Sequence, residues 1–594
     1  MFHRRTFNVA FLIALVLVLL QTPRIAPAAP ERYAPPLDDA PFGLNTHLAS
    51  RYPDLETIDR PVAVIEDAGA GWVREDIHWY RIQPDPNTWD WSFTDAMVRE
   101  LARRNIKIVG VLGHPPGWAT PYSGDRPSAI SFYAPDPQRF AEFSRAVAER
   151  YHRYIDHWEI WNEPDNTLFW KPKPDAAAYA EVLRLSAAAV RSVDPDAKIL
   201  LGGINPYDTS FLRGLIAAGV WDDFDILAVH PYVDPVSPEL GNLQASLDAI
   251  NALASRLGDK PIWVTEIGWP SGNSDRDTSG TADEQTQANY LVRSLLLLWR
   301  AGAERIFWYT LKDDPGNPYG LVGLGRGQSD YSVRKASFYA FQTLNRQLAN
   351  TEFVAMHDPF ERNVVLDFET FGEWLRADQP NGRLRPAITV QHSGEGAARL
   401  DYNFQNTFND YVVFQRASAA PIPGEPHALG IWVYGDGSGN TLKVWLRDAE
   451  GELLQYALGA VGPPGWRYLQ VPLLKKVGPG DRISPNGNGV LDFPARLDAI
   501  VLDDAPDTFQ GKGTIFLDDL ISINGPEAYD MELRRGKQIV DVLWASTPLV
   551  ATLNSNGNTA RLIDRDGQRR LIEAKDGKFH LTLGPSPIFV IQNR

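Results

Sequence analysis

Two glutamates close apolar runs in this chain. One run leads through Trp158-Glu159-Ile160-Trp161 into Asn162-Glu163-Pro164, and the other through Trp263-Val264-Thr265 into Glu266-Ile267-Gly268-Trp269. A carboxylate at such a position is costly unless it is paired or used, because low-polarity surroundings disfavour its charged form. An ion pair to Lys or Arg would account for one of them; two in the same setting point to acid/base chemistry across a shared cleft. Similar runs carry or end near Arg74, His114, His230, Tyr232 and Trp308, and Asn162 directly precedes Glu163. These residue types suit one kind of reaction. An arginine beside a carboxylate keeps it ionised, a tyrosine hydroxyl donates to the same group, and an asparagine amide bonds a sugar hydroxyl. A tryptophan offers a flat apolar face for a pyranose ring. For His114 and His230 the alternatives are a structural role or metal binding, and the sequence sets no third ligand beside them to favour a metal.

Positioning these groups requires strands that all end at one mouth. Strand candidates fall at 41–48, 72–79, 107–113, 156–162, 198–204, 226–232, 261–267 and 305–311, each followed by a helical segment such as 137–151, 176–193 or 282–300. Eight strand–helix units in about 300 residues fit one closed (β/α)8 TIM barrel, which collects its active site at the C-terminal ends of its strands. No Gly-rich dinucleotide fingerprint follows any strand. Trp79, Trp118, Trp170 and Trp269 fall just beyond strand ends, placed either as sugar platforms or as core. Polar, Gly-rich loops at 271–282 and 313–327 are placed to cap or extend a cleft.

The segments Trp158 to Pro164 (WEIWNEP) and Trp263 to Glu266 (WVTE) resemble the acid/base and nucleophile strands of clan A retaining glycoside hydrolases, and Trp161 to Trp170 (WNEPDNTLFW) most resembles family 39. The resemblance covers residues 41 to 345. It implies that Glu163 is the general acid/base, Glu266 the nucleophile and Asn162 a sugar-binding amide. It also implies that Arg74, His114, His230, Tyr232 and Trp308 support the site or contact sugar. No metal or other cofactor is implied, and the expected partner is a polysaccharide or oligosaccharide, more often β-linked in this family. A transglycosylase on the same residues, or a silent carbohydrate-binding envelope protein, are the alternatives.

The remaining sequence sets the context. Among 594 residues, 58 Lys and Arg against 74 Asp and Glu leave a net charge of −16, which disfavours nucleic acid as a partner. The absence of cysteine excludes disulfides, thiolate catalysis and thiolate metal sites. Arg4-Arg5, the apolar run Val9 to Leu20 and the stretch Ala26 to Pro30 read as a signal peptide over 1–29, too short in its apolar part to span a bilayer comfortably, so a secreted or cell-envelope protein without further membrane contact is expected. The barrel is expected over 38–348. Beyond it, alternating runs separated by Gly, Asn, Asp and Pro predict an all-β, jelly-roll-like sandwich at 364–525 that loosely resembles carbohydrate-binding modules. A small β-domain at 526–594 is expected to pair with 349–363, which would make the sandwich an insertion. The turns 436–440 and 486–489 carry oxygens suited to calcium but match hairpin turns better.

Overall fold

The computed structural model describes residues 37–38, 41–122, 132–239, 241, 243–255, 257–274, 282–357, 361–378, 381–462, 464–524 and 528–593. The expected signal peptide at 1–29 and the middle of the 271–282 loop lie outside the described residues.

Eight parallel strands form the barrel: β1 (Phe42–Asn45), β2 (Trp72–His78), β3 (Lys107–Gly113), β4 (His157–Ile160), β5 (Lys198–Leu201), β6 (Leu227–Val229), β7 (Ile262–Ile267) and β8 (Arg305–Trp308). They pair in the order β5-β4-β3-β2-β1-β8-β7-β6. Parallel bridges Leu200 to Ile226 and Ile204 to Val229 close the ring between β5 and β6. Each strand is followed by a helix with an apolar stripe. In Pro137–Tyr151 the buried set Phe140, Phe143, Ser144, Val147 and Tyr151 recurs at helical spacing, Pro137 occupies the first turn, and Asp136 caps the Arg139 amide at 3.0 Å. Asp175 and Asp283 cap two further helices in the same way.

The lower barrel is filled by Trp72, Val109, Leu200, Ile226, Trp263 and Phe307. Trp72 and Trp263 meet edge to face at 5.5 Å. Glycine makes room for these rings: a Cβ at Gly43 would stand 2.5 Å from Phe307. The strands are shorter than their sequence patterns suggest because the residues just past them leave the extended conformation. His47, Trp161 and Glu163 all have positive φ, at 50°, 72° and 47°. That turn redirects side chains that a longer strand would have alternated in and out of the barrel.

Past the helix Ala336–Leu348, strand Glu352–His357 pairs antiparallel with Ala528–Arg535 in a six-stranded sheet whose other members include Gln538–Ala545 and Ile588–Asn593. The segment between those two strands, 361–524, forms the two-sheet sandwich, with six and five strands around Leu400, Ile431, Val444, Leu454, Ile500 and Ile515. The terminal sheet shares the barrel's core through Met531, Val540, Val542, Trp544 and Phe589. Buried Glu239, on the loop after β6, accepts from Trp544 Nε1 at 3.0 Å and pairs with Arg293. In the sandwich, Trp432 and Tyr434 alternate with core residues and face outward, Trp432 covered by His392 at 3.9 Å. The two candidate calcium loops are turns closed by their own side chains, Asp436 accepting from the Ser438 amide and Asn488 from the Val490 amide.

Candidate active site

Arg74, on β2, is the hub of the barrel mouth. Its guanidinium is 2% exposed and reaches three strands beyond its own. Nε donates to Glu159 Oε2 at 2.6 Å and Nη2 to Glu159 Oε1 at 3.1 Å. Nη1 donates to Glu266 Oε1 at 2.6 Å and to Asn45 Oδ1 at 3.0 Å, and Nη2 also donates to Asn162 Oδ1 at 2.7 Å. One buried guanidinium shared by two carboxylates offsets part of the desolvation cost of the three charges. Burial alone would lower the Arg74 pKa, but Glu159 and Glu266 raise it overall, so the cation is permanent.

Glu266 closes β7 with 7% of its surface exposed. Its second oxygen accepts from Tyr232 Oη at 2.9 Å. Burial pushes its pKa up, yet the charges of His230 and Arg74 outweigh that and hold it below the ordinary carboxylate value, with the Tyr232 hydroxyl contributing. It is therefore kept as an anion in a nearly closed site. Glu163 sits one turn past β4, half-buried, its Oε2 accepting from Asn166 Nδ2 at 2.8 Å. One oxygen of Glu163 and one of Glu266 lie within 4.8 Å of each other.

His230 links the two glutamates. Its Nδ1 stands 2.8 Å from Glu163 Oε1 and 3.9 Å from Glu266 Oε2, and its Nε2 is 3.0 Å from Thr265 Oγ1. The Thr265 hydroxyl donates its proton to Glu159 Oε1 at 3.3 Å, so Nε2 must carry hydrogen and donate to Thr265. The bond between Nδ1 and Glu163 then has two states, a protonated Glu163 donating to a neutral ring or an imidazolium donating to the carboxylate. The sidedness of the ring is set by Gly203, where a Cβ would stand 2.0 Å from Nε2, while the Gly203 amide donates to Glu159 Oε1 at 2.9 Å. Burial lowers the His230 pKa, but Glu266 and Glu163 raise it overall.

The opposite wall comes from β1 to β3. Asp76 Oδ2 lies 2.8 Å from His47 Nδ1 and 3.4 Å from His78 Nε2; burial raises its pKa, but both histidines together hold it well below the ordinary value. Glu75, bonded by Thr46 Oγ1 and the Ala49 amide, is pushed up to about 7 by burial and by Asp76. His114 stacks on His78 at 5.5 Å and is pushed down to about 3, mainly by burial and then by the charge of His78. It belongs to this wall and makes no bond to either glutamate.

The structure thus gathers Glu163, Glu266, Arg74, Asn162, His230 and Tyr232 into one connected network and places His114 beside it. Of the two roles expected for Trp308, a sugar contact is corrected and a supporting one is left. Trp308 is fully buried, with Nε1 donating to Tyr319 O at 3.3 Å and its face stacked on Trp269, so it has no surface to offer a sugar. The ring at the mouth is the next residue, Tyr309, half-buried, 5.5 Å from His47 and 6.3 Å from Tyr232, with its hydroxyl accepting from Arg51 Nη2 at 3.1 Å. Trp79, Trp170 and Trp269 are likewise core, each with 2% exposure or less, and Trp118 packs edge-on against Trp79. Glu159, Asn45, His47, Asp76 and Tyr309 were missed by sequence reasoning. Glu159 alone carried a readable signal, a charge inside an apolar strand.

Glu163, His230 and Glu266 also offer one ligand atom each within 4.8 Å and could approach a metal ion together. The donor set argues against a fit. His230 Nδ1 and Glu163 Oε1 are engaged with each other, and Glu266 already faces the Arg74 cation, which would repel a second one.

Residues 134–321 match a family model described as the glycosyl hydrolase catalytic core, a span holding β4 to β8 and both glutamates. No curated protein matches the chain. Among solved structures, the chain is similar to a family 39 glycoside hydrolase from the gut symbiont Bacteroides cellulosilyticus, at 16% identity and TM-score 0.52, over 94% of this chain and 83% of that one. It is also similar to a family 39 β-xylosidase from Caulobacter crescentus, at 18% identity and TM-score 0.43, over 68% of this chain and 84% of that one. A family 30 endoxylanase from Clostridium papyrosolvens aligns at 10% identity and TM-score 0.45, over 95% of this chain and 98% of that one. The first of these likenesses supports the barrel architecture. The matched catalytic core covers the part of that barrel which carries both glutamates.

Proposed function

We propose that the protein is a secreted glycosidase that hydrolyses β-linked O-glycosidic bonds of a polysaccharide or oligosaccharide by a retaining, double-displacement mechanism. The observation that carries this reading is the separation of the two carboxylates. Oxygens within 4.8 Å suit the roughly 5–5.5 Å of retaining enzymes better than the about 6.5–9.5 Å at which inverting enzymes seat their water. The electrostatic asymmetry of the pair assigns the roles. Glu266, fixed as an anion by Arg74 and Tyr232, attacks the anomeric carbon. Glu163, whose Oε1 is hydrogen-bonded to His230 Nδ1, gives a proton to the leaving oxygen as the carbon–oxygen bond breaks. In the second step Glu163 takes a proton from water, the water oxygen bonds to the anomeric carbon, and Glu266 is released as carboxylate.

Asn162 is held by Arg74 next to the reacting centre and serves a sugar hydroxyl, while His47, His114 and Tyr309 shape the wall that the sugar ring faces. The arginines and apolar run of residues 1–29 support export, which places a polymer substrate within reach. The roles are tested with Glu266→Gly and Glu163→Ala. Azide added to Glu266→Gly is expected to open an activated aryl glycoside with inverted configuration, and Glu163→Ala is expected still to form the glycosyl-enzyme on such a substrate. An azide product of unchanged configuration, or loss of that first step, contradicts the assignment.

A further inference from the structure

A cavity of about 620 Å³ opens beside Glu163. Its floor is Glu163, His230 and Tyr232, and its sides are the loops after β4 and β5, with Asp165, Asn205, Asp208 and the half-buried ring of Phe211. Glu266 does not line it. Under the roles proposed above, the proton donor stands on the side of the departing sugar, so this cavity is where the leaving group lies; the inference rests on that reading.

The charge of the cavity is one-sided. Among the described residues lining it are three carboxylates, Glu163, Asp165 and Asp208, and no lysine or arginine; His230 is its one basic group and is bonded to Glu163. Asp165 is held by the Asn205 amide at 2.7 Å, and burial together with the charge of Glu163 pushes its pKa up to about 6. Two neighbouring carboxylates that repel one another in a partly closed space would be relieved by a cation and aggravated by an anion. The Phe211 ring supplies an apolar face against which a pyranose could lie.

We propose that this cavity binds a leaving-group sugar bearing a free amino group, accepts neutral sugars less well and rejects uronate, sulfated or phosphorylated units. Asp165 and Asp208 set the preference, and Phe211 supports the ring.

The test uses the full chain and one glycone, the one released fastest from a panel of aryl β-glycosides, joined to three phenols of similar acidity carrying a para aminomethyl, hydroxymethyl or carboxymethyl group. The expected order of kcat/KM is amine over alcohol over carboxylate, with about tenfold per step, the size expected for one charge about 6 Å from a carboxylate at an effective dielectric of about 40. The spread is expected to shrink to within about threefold in Asp165→Asn/Asp208→Asn. Asp208→Asn alone, at an exposed position, is expected to remove part of it and guards against misfolding of the double variant. Equal rates, or a preference for the carboxylate, overturn the proposal.

A second arm titrates wild type and Asp208→Asn with tetraglucosamine, cellotetraose and tetragalacturonate by calorimetry at pH 6. If no aryl glycoside is hydrolysed but tetraglucosamine binds best and loses that advantage in Asp208→Asn, the catalytic reading fails while the charge selection of the cavity stands. Absence of any preference for the amine in both arms overturns the selection.

Discussion

Replacing Tyr232 by phenylalanine removes one hydroxyl and leaves the ring that packs near Tyr309. That hydroxyl donates to Glu266 Oε2 at 2.9 Å, while Arg74 serves the other oxygen. A hydrogen bond to a charged acceptor is worth about 1.5–3 kcal/mol and one to a neutral acceptor about 0.5–1.5 kcal/mol. The hydroxyl therefore favours the ionised over the protonated glutamate by about 1–1.5 kcal/mol, roughly one pKa unit. The sign follows from the lowered pKa of Glu266, since deleting a group that depresses it raises it. The nucleophile must be ionised, so activity is lost at a higher pH as the solution is acidified. The acid limb of kcat/KM against pH, which reports ionisation in the free enzyme, should move up by about one unit in Tyr232→Phe. The plateau should fall as well, because the hydroxyl also steadies the carboxylate during attack. An acid limb that stays in place while only the plateau falls would refute the reasoning, because Tyr232 would then not be setting the charge of Glu266.

Gly203→Ala should cost about a hundredfold or more in kcat, since its Cβ would stand 2.0 Å from His230 Nε2 and push the ring off Glu163, and a displacement of that size in a catalytic group carries such a penalty; normal turnover would show that the ring position is not needed. Tyr309→Ala should raise KM severalfold with little change in melting temperature, whereas Trp308→Ala should lower stability by about 3–5 kcal/mol, as for a buried tryptophan; the reverse pattern would restore Trp308 as the sugar platform. Trp544→Ala removes a core residue shared with the barrel, so calorimetry should show the barrel transition moving down with that of the terminal sheet while the sandwich transition stays in place. Chelators should leave kcat/KM unchanged, because the ligand atoms of Glu163 and His230 are committed to each other.

The barrel was legible because its strands are short, mostly buried runs separated by long amphipathic helices, a pattern that survives without tertiary information. The two glutamates were legible for the same reason, since each ends a run that must stop at the mouth. The choice between Trp308 and Tyr309 was not. Adjacent residues at a strand end point to opposite sides, and the true end of β8, which fixes which ring faces the mouth, depends on packing against Trp269 and Tyr319. Glu159 is a charge within an apolar run and was passed over because its partner Arg74 lies 85 positions away, and only the closed barrel brings them together. His114 was legible just past β3, but its companions in the wall, His47, Asp76 and His78, were hidden because the wall draws on three strands and His47 turns inward through a positive φ.

The central claim, that Glu266 attacks the sugar while Glu163 serves as acid and base, is tested most directly by trapping. The protein is incubated with a 2-deoxy-2-fluoro aryl glycoside of its preferred sugar, and the mass of the chain and of its peptides is read by mass spectrometry. The account predicts a gain of one fluoroglycosyl unit, located on Glu266, with that adduct absent in Glu266→Gln. An adduct on Glu163, or rapid turnover that gives product of inverted configuration with no adduct at all, would contradict it.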